Sequence, residues 1–70
     1  MIDYTPLSER EIDVMNELKK GGTNKKVGKR MHLSSTTVAT HLNHIYCKLG
    51  VHDKVEAINF CLQHKIITID

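Results

Sequence analysis

A chain of 70 residues forms one small domain, whose core supplies only about 3–5 kcal/mol of net stability and leaves no room for a large catalytic cavity. It has no run of about 18 apolar residues and no secretory signal, so we expect a cytoplasmic protein without a membrane partner. The net charge of +2 is uneven: residues 1–18 carry five acids against one cation, whereas residues 19–30 carry six cations and no acid. This basic segment suits a polyanion, although most charged runs are only solvated surface.

Capping motifs in chain order predict four helices. The first helix begins at Ser8, which can form a capping box with Glu11, and ends at the glycine pair 21–22. Its inward face contains Val14, Met15 and Leu18. Glu11 falls in the middle of this apolar face, where a carboxylate needs a cation or backbone donors nearby.

A second, short helix is expected from its cap, Thr23, to about His32. The next segment, residues 34–50, has two interpretations, because its β-branched residues alternate like those of a strand. As a helix, it instead places four apolar side chains within about 60° of one another, namely Val38, Leu42, Ile45 and Leu49. The strand pattern covers only the first half, and Gly50 provides a helix stop, so a helix over 34–49 is predicted.

The fourth helix is predicted over residues 53–65, where Asp53 and Glu56 repeat the capping-box pattern. Its inward face contains Ala57, Ile58, Cys61 and Leu62. Its outer face contains Val55, Glu56, Asn59, Phe60 and Gln63. A large aromatic residue outside the core indicates either a partner surface or incidental exposure. Because only two or three residues separate the second and third helices, the predicted fold is a compact all-α four-helix domain with a central helix-turn-helix.

Metal binding and catalysis have little support in the sequence. His41, His44 and Cys47 are three residues apart, so the first and last diverge by about 120° around a helix and do not converge on one metal ion. Cys47 and Cys61 form no CxxC pair, and we expect both to be reduced and half-buried. The chain has no paired carboxylates and no phosphate-binding glycine loop. We therefore predict a protein that is not an enzyme and has no metal or cofactor.

Four segments in register resemble the LuxR-type (GerE-like) DNA-binding domain of bacterial response regulators and quorum sensors. They are LSEREIDVM, GTNKKVGKRMHLSSTTV, THLNHIYCKLGV and DKVEAI. The match places the domain at residues 7–67, between a lead-in at 1–6 and a tail at 68–70. The resemblance implies sequence-specific binding in the DNA major groove and dimerisation largely through the C-terminal helix, with RNA polymerase as a further candidate partner.

By position, the resemblance implies base-facing sites at Ala39, Thr40 and Asn43, to which we add His44. It implies DNA-backbone sites at Asn24, Lys25, Thr37 and His41, to which we add Thr23, Lys26 and Lys48 as phosphate ligands. For Thr37 and His41, local capping or packing is an equal alternative. The helix through which the family dimerises corresponds to the fourth helix, with its outer face around Phe60.

The residue types on the base-facing sites predict which bases are read. Asn pairs with adenine, small methyl groups pack on thymine, and the Arg or Lys that suits guanine is absent, so we predict A·T-rich half-site centres.

Three positions depart from the family pattern. Lys26 stands where Glu is usual, which removes a capping box with Thr23 and adds a cation. Gly28 replaces Ala, at an expected cost to the helix of about 0.5–1 kcal/mol. Ala39 replaces a frequent Lys or Arg, so the usual base contact is lost.

The predicted function is a DNA-binding transcriptional regulator associated with the bacterial nucleoid, either as a stand-alone protein or as the effector domain of a response regulator. A protein-interaction module of the same fold, with weak DNA affinity, is the alternative. The outer face of the third helix carries no charge and favours that alternative; it contains Thr36, Ala39, Thr40, Asn43, His44 and Cys47. The basic segment opposes it.

Overall fold

Residues 7–68 are described by a computed structural model and form four helices joined by short turns. The helices are α1 (Glu9–Leu18), α2 (Asn24–Met31), α3 (Ser35–Leu49) and α4 (Lys54–Gln63). The all-α prediction is confirmed over the described residues, and the ambiguous segment 34–50 is a helix over residues 35–49, flanked by its caps Ser34 and Gly50. The predicted lead-in, residues 1–6, and the last two residues of the predicted tail lie outside the described residues.

Each helix begins at the side-chain cap that the sequence predicts. The Ser8 hydroxyl accepts the Glu11 N–H at 3.2 Å, and the Glu11 carboxylate accepts the Ser8 N–H at 2.9 Å, which completes the predicted capping box. The other caps are Thr23, Ser34 and Asp53, each accepting from the N–H three residues ahead. The capping box predicted at the fourth helix differs from that of the first helix. Here the Glu56 carboxylate accepts from the N–H of His52, one residue before the cap.

Three helices end earlier than predicted. Helix α1 ends at Leu18, and the chain continues as a turn in which the Gly21 N–H donates to the Leu18 carbonyl at 3.0 Å. Helix α2 ends at Met31, one residue before the expected limit. Helix α4 ends at Gln63, because the next residues turn back: the Ile66 N–H donates to the Cys61 carbonyl at 2.8 Å.

The core lies between the helices, and α3 contacts each of the other three. It is formed by Leu7, Val14, Met15, Leu18, Val27, Val38, Leu42, Ile45, Leu49, Ala57, Cys61 and Ile67. The expectation that both cysteines are half-buried was wrong, because Cys61 faces the core whereas Cys47 is exposed on the outer surface of α3. Burial raises the pKa of the Cys61 thiol.

The turn between α2 and α3 lies close against α2. His32 takes the left-handed conformation with φ 60°, and the Leu33 N–H donates to the Gly28 carbonyl at 2.7 Å. Gly28 is buried, and a Cβ atom there would lie 2.5 Å from the Leu33 carbonyl oxygen. Gly28 therefore does more than lower the stability of the helix as predicted. Because it has no side chain, the turn can lie this close to α2.

Candidate nucleic-acid interface

Helix α3 separates an apolar face from an uncharged outer face. Its buried residues are Val38, Leu42, Ile45 and Leu49. Of the predicted base-reading residues, Thr40, Asn43 and His44 are exposed and Ala39 is partly exposed. These four positions span about 140° of the helix surface. The structure therefore brings them together on one accessible face.

The hydroxyl of Thr40 is already used inside the helix. Its Oγ1 donates to the Thr36 carbonyl at 3.0 Å, a bond that Thr commonly makes one turn back. The methyl group and the oxygen lone pairs therefore remain for contact with a base.

Thr37 and His41 are less accessible than Thr40, Asn43 and His44, since both are partly buried. The Thr37 N–H donates to the Ser34 hydroxyl at 3.1 Å, and the two hydroxyls lie 2.9 Å apart. The capping alternative for Thr37 is therefore realised in this structure. Contact of either residue with phosphate stays a prediction.

The N-terminal turn of α2 carries four predicted phosphate ligands. Thr23 is exposed, although its hydroxyl accepts the Lys26 N–H at 3.3 Å. Asn24 is partly buried, and its Oδ1 atom is enclosed without a hydrogen-bond partner within the described chain, so its amide hydrogens are the group available to phosphate. Lys25 and Lys26 are exposed. The positive end of the helix dipole favours an anion at this turn.

The six cations of residues 19–30 do not form one continuous patch. Lys19 donates to the Thr68 carbonyl, and Lys20 lies 3.1 Å from a Glu17 carboxylate oxygen. Arg30 donates to the Glu17 side chain as well as to backbone carbonyls. The remaining cations, Lys25, Lys26 and Lys29, are exposed. About half of the positive charge counted from sequence is thus engaged within the fold.

Lys48 is the cation that Glu11 requires. Its Nζ atom lies 2.7 Å from Glu11 Oε1, which also accepts the Ser8 N–H. The Glu11 side chain is only 6% exposed. Burial raises the pKa of Glu11, but the hydrogen bonds from Lys48 and Ser8 and the charge of Lys48 outweigh this effect and lower it overall. Lys48, predicted as a phosphate ligand, is therefore ion-paired within the protein.

The predicted dimer residues on α4 differ in exposure. Val55 is 67% exposed, and Glu56, Asn59 and Gln63 are exposed as well. Phe60 is half-buried against the core, and its ring stacks on His64 with centroids 4.1 Å apart. The expectation that Phe60 lies outside the core was wrong, because residue 60 is only about 60° around the helix from core-facing Ala57.

Two pairings were not found by sequence reasoning, namely Glu11 with Lys48 and Glu17 with Arg30. No local signal predicts them, because their partners lie 37 and 13 residues apart. Within residues 7–68, no three His, Cys, Asp or Glu side chains are grouped so that they could hold a metal ion. In the same range, no helix has the length and apolar character needed to cross a bilayer.

Comparison with known proteins agrees with this architecture. A family model described as "Bacterial regulatory proteins, luxR family" matches residues 5–61. Curated relatives include the Fimbriae Z protein of Salmonella typhimurium, 37% identical over 62 residues, which are 89% of this chain and 30% of that protein. The response regulator protein VraR of Staphylococcus aureus is 34% identical over 64 residues, which are 91% of this chain and 31% of VraR.

A solved structure shows the same fold. The crystal structure of the response regulator ChrA in a heme-sensing two-component system matches with a TM-score of 0.85 and 38% identity, over 94% of this chain and 33% of that one. The chain thus spans about a third of the length of these three proteins. With the family match covering most of its residues, the chain belongs to the luxR family of bacterial regulatory proteins.

Proposed function

We propose that this chain is a sequence-specific DNA-binding transcriptional regulator, or the effector domain of one, that inserts α3 into the major groove. The observation that carries this proposal is the exposed, uncharged face of α3 next to a helix with three exposed lysines. Phosphate contacts supply affinity, whereas contacts to base edges select the sequence. Membership of the luxR family and the relatives named response regulators support a role in transcription.

Base selection is assigned to Ala39, Thr40, Asn43 and His44. The Asn43 amide can both donate to and accept from the edge of adenine, and the methyl groups of Ala39 and Thr40 can pack on the thymine methyl group. Because this face carries no Arg or Lys, guanine lacks its usual partner. We therefore expect A·T base pairs at the centre of each half-site.

Backbone contact is assigned to the N-terminal turn of α2 and to neighbouring residues of α3. The proposed ligands are Thr23, Asn24, Lys25, Lys26, Thr37 and His41. With two lysines at the backbone, the logarithm of DNA affinity should fall with the logarithm of salt concentration at a slope of about −1.8 per domain. DNA binding would place the protein at the bacterial nucleoid in the cytoplasm.

Dimerisation through the exposed face of α4 is proposed as the means by which two domains occupy paired half-sites. One domain on a half-site binds weakly, whereas two linked copies gain from effective concentration. The proposed domain boundaries are residues 7 and 67, supported by the burial of Leu7 and Ile67. RNA polymerase is a candidate partner of the DNA-bound protein.

Selection of bound duplexes from a random DNA pool tests the function directly. We expect an enriched motif with A·T pairs at its centre and an affinity for it that falls steeply with salt. A motif dominated by G·C at those positions would show that the base-reading assignment is wrong. Failure to enrich any sequence, together with affinity that does not respond to salt, would favour the protein-interaction alternative.

Asn43→Ala sharpens this test at one residue. The variant should bind the selected duplex more weakly by about 1–3 kcal/mol and lose its preference at a single base pair. Cys47→Ala provides the matched control, because Cys47 is also exposed on α3 but has no assigned contact. The control should keep the wild-type motif.

A further inference from the structure

Helix α1 is joined by ion pairs to both helices of the helix-turn-helix. Glu11, near its N-terminus, pairs with Lys48 on the last turn of α3. Glu17, near its C-terminus, pairs with Arg30 on the last turn of α2. We call these two contacts the α1 ion pairs.

The Glu11–Lys48 pair connects the buried side of α1 to the end of α3. Glu11 is the charged residue buried within residues 7–68, and its Oε1 atom receives both the Lys48 ammonium at 2.7 Å and the Ser8 N–H at 2.9 Å. A buried carboxylate is stable only with such partners. Moving Lys48 to a DNA phosphate would leave that carboxylate without its cation.

Arg30 makes three bonds at the end of α1. Its Nε atom donates to Glu17 Oε1 at 3.0 Å, and its Nη2 atom donates to the carbonyls of Glu17 and Gly21 at 2.9 and 3.0 Å. These carbonyls belong to the C-terminal turn of α1 and the loop that leads to α2. The planar guanidinium fits this set of acceptors, whereas a lysine ammonium cannot reproduce the same fork.

We propose that Lys48 and Arg30 are positioning residues, which set the orientation of α3 relative to α2 through α1 and do not bind phosphate. This inference rests on the proposed DNA binding. Helix α2 would fix the domain on the DNA backbone while α3 reads the bases, so both helices must keep one relative orientation for base contacts to form. Loss of an α1 ion pair therefore reduces sequence discrimination, not the number of phosphate contacts.

The test compares the full 70-residue wild type with Glu11→Gln, Arg30→Lys and the control Lys25→Gln. Dissociation constants for the selected duplex and a scrambled duplex are measured over a salt series, at a temperature where circular dichroism shows each variant folded. Glu11→Gln leaves Lys48 in place, and Arg30→Lys keeps its positive charge. Both should lose several-fold in the ratio of selected to scrambled affinity while retaining the wild-type salt slope.

Lys25→Gln should show the opposite pattern. Its salt slope should decrease in magnitude by about 0.9, with an unchanged affinity ratio, as expected for one lost phosphate contact. If a fourth variant, Lys48→Gln, lowers the magnitude of the salt slope by the same amount as Lys25→Gln, Lys48 is a phosphate ligand in the wild type and the proposal fails. It fails equally if either α1 variant matches the wild type in both quantities, because a role in stability alone leaves folded protein unaffected.

Amide hydrogen exchange separates this inference from the proposed function. In protein without DNA, Glu11→Gln should exchange faster than Lys25→Gln at the last turn of α3, residues 46–49, because that turn has lost its link to α1. If the wild type binds neither duplex but this difference appears, the proposed function fails while the positioning role of Lys48 stands. Equal exchange in the two variants would overturn that role.

Discussion

Gly28 lies where the turn of the helix-turn-helix approaches α2 most closely. A Cβ atom at this position would lie 2.5 Å from the Leu33 carbonyl oxygen, which belongs to the backbone and cannot rotate away. Helix propensity alone favours Ala over Gly by about 1 kcal/mol. The contact reverses that preference, because overpacking in a buried position typically costs about 1–3 kcal/mol.

We therefore predict that Gly28→Ala lowers the free energy of unfolding by about 1–3 kcal/mol, as measured by urea denaturation. Lys29→Ala is the matched control, since Lys29 is exposed on the same helix and its replacement should change stability by less than about 0.5 kcal/mol. A stabilised Gly28→Ala variant would show that the turn can move away from α2 without cost.

The tertiary contacts give three residues roles that differ from the predicted ones. Phe60, the apparent centre of an exposed face, packs against the core and stacks on His64. Arg30 and Lys48, both counted as available positive charge, are paired with carboxylates of α1. The side chains of Arg30 and Lys48 are long enough to reach partners that their positions on the helix do not reveal.

At the scale of the element, α4 offers a mainly polar outer face with one apolar residue, Val55, at 67% exposure. A substitution at half-buried Phe60 would combine an interface effect with loss of core packing. Val55 therefore allows a cleaner test of the proposed dimer.

We predict that Val55→Glu abolishes cooperative binding to DNA with two half-sites while leaving affinity for a single half-site unchanged. The physical reason is that a carboxylate in an apolar contact between two copies would lose hydration without a partner. Arg10→Gln makes the same change in net charge on the exposed side of α1 and should retain cooperativity in the same gel-shift titration. Cooperativity that survives in Val55→Glu would place the contact between copies elsewhere.

At the scale of the whole molecule, two carboxylates link α1 to the remainder of the fold and make its stability depend on pH. Hydrogen bonds from Lys20 and Arg30 lower the pKa of Glu17, and the contacts with Lys48 and Ser8 lower that of Glu11 despite its burial. A carboxylate whose pKa is lower in the folded chain stabilises the fold above its unfolded pKa. That contribution is lost as the pH falls through the folded pKa.

Glu11→Gln should accordingly be less stable than the wild type at neutral pH, and this difference should disappear in acid below the ordinary range of a carboxylate pKa. Urea unfolding over a pH series measures the effect. Glu9→Gln, which removes an exposed carboxylate from the same helix, serves as the control. If the two variants lose stability in parallel at every pH, Glu11 does not supply the predicted dependence.

The sequence by itself determined four helices, their starting caps, most of the core and the helix-turn-helix. These features depend on residues within about four positions of one another, where capping and helical periodicity act, so they are readable along the chain. The uncharged face of α3 could be predicted from the same periodicity, because the buried residues recur at helical spacing and leave the others on the outer face.

Only the tertiary structure decided which cations are paired with carboxylates, how closely the turn approaches Gly28, and which apolar residue of α4 is exposed. Those outcomes depend on contacts between helices, such as the 37-residue separation of Glu11 and Lys48, and on the distance between the turn and α2. Charge counted along the chain cannot distinguish a lysine that faces solvent from one that neutralises a buried carboxylate. Packing makes that distinction, because a buried carboxylate must be paired whereas an exposed lysine is already stabilised by water.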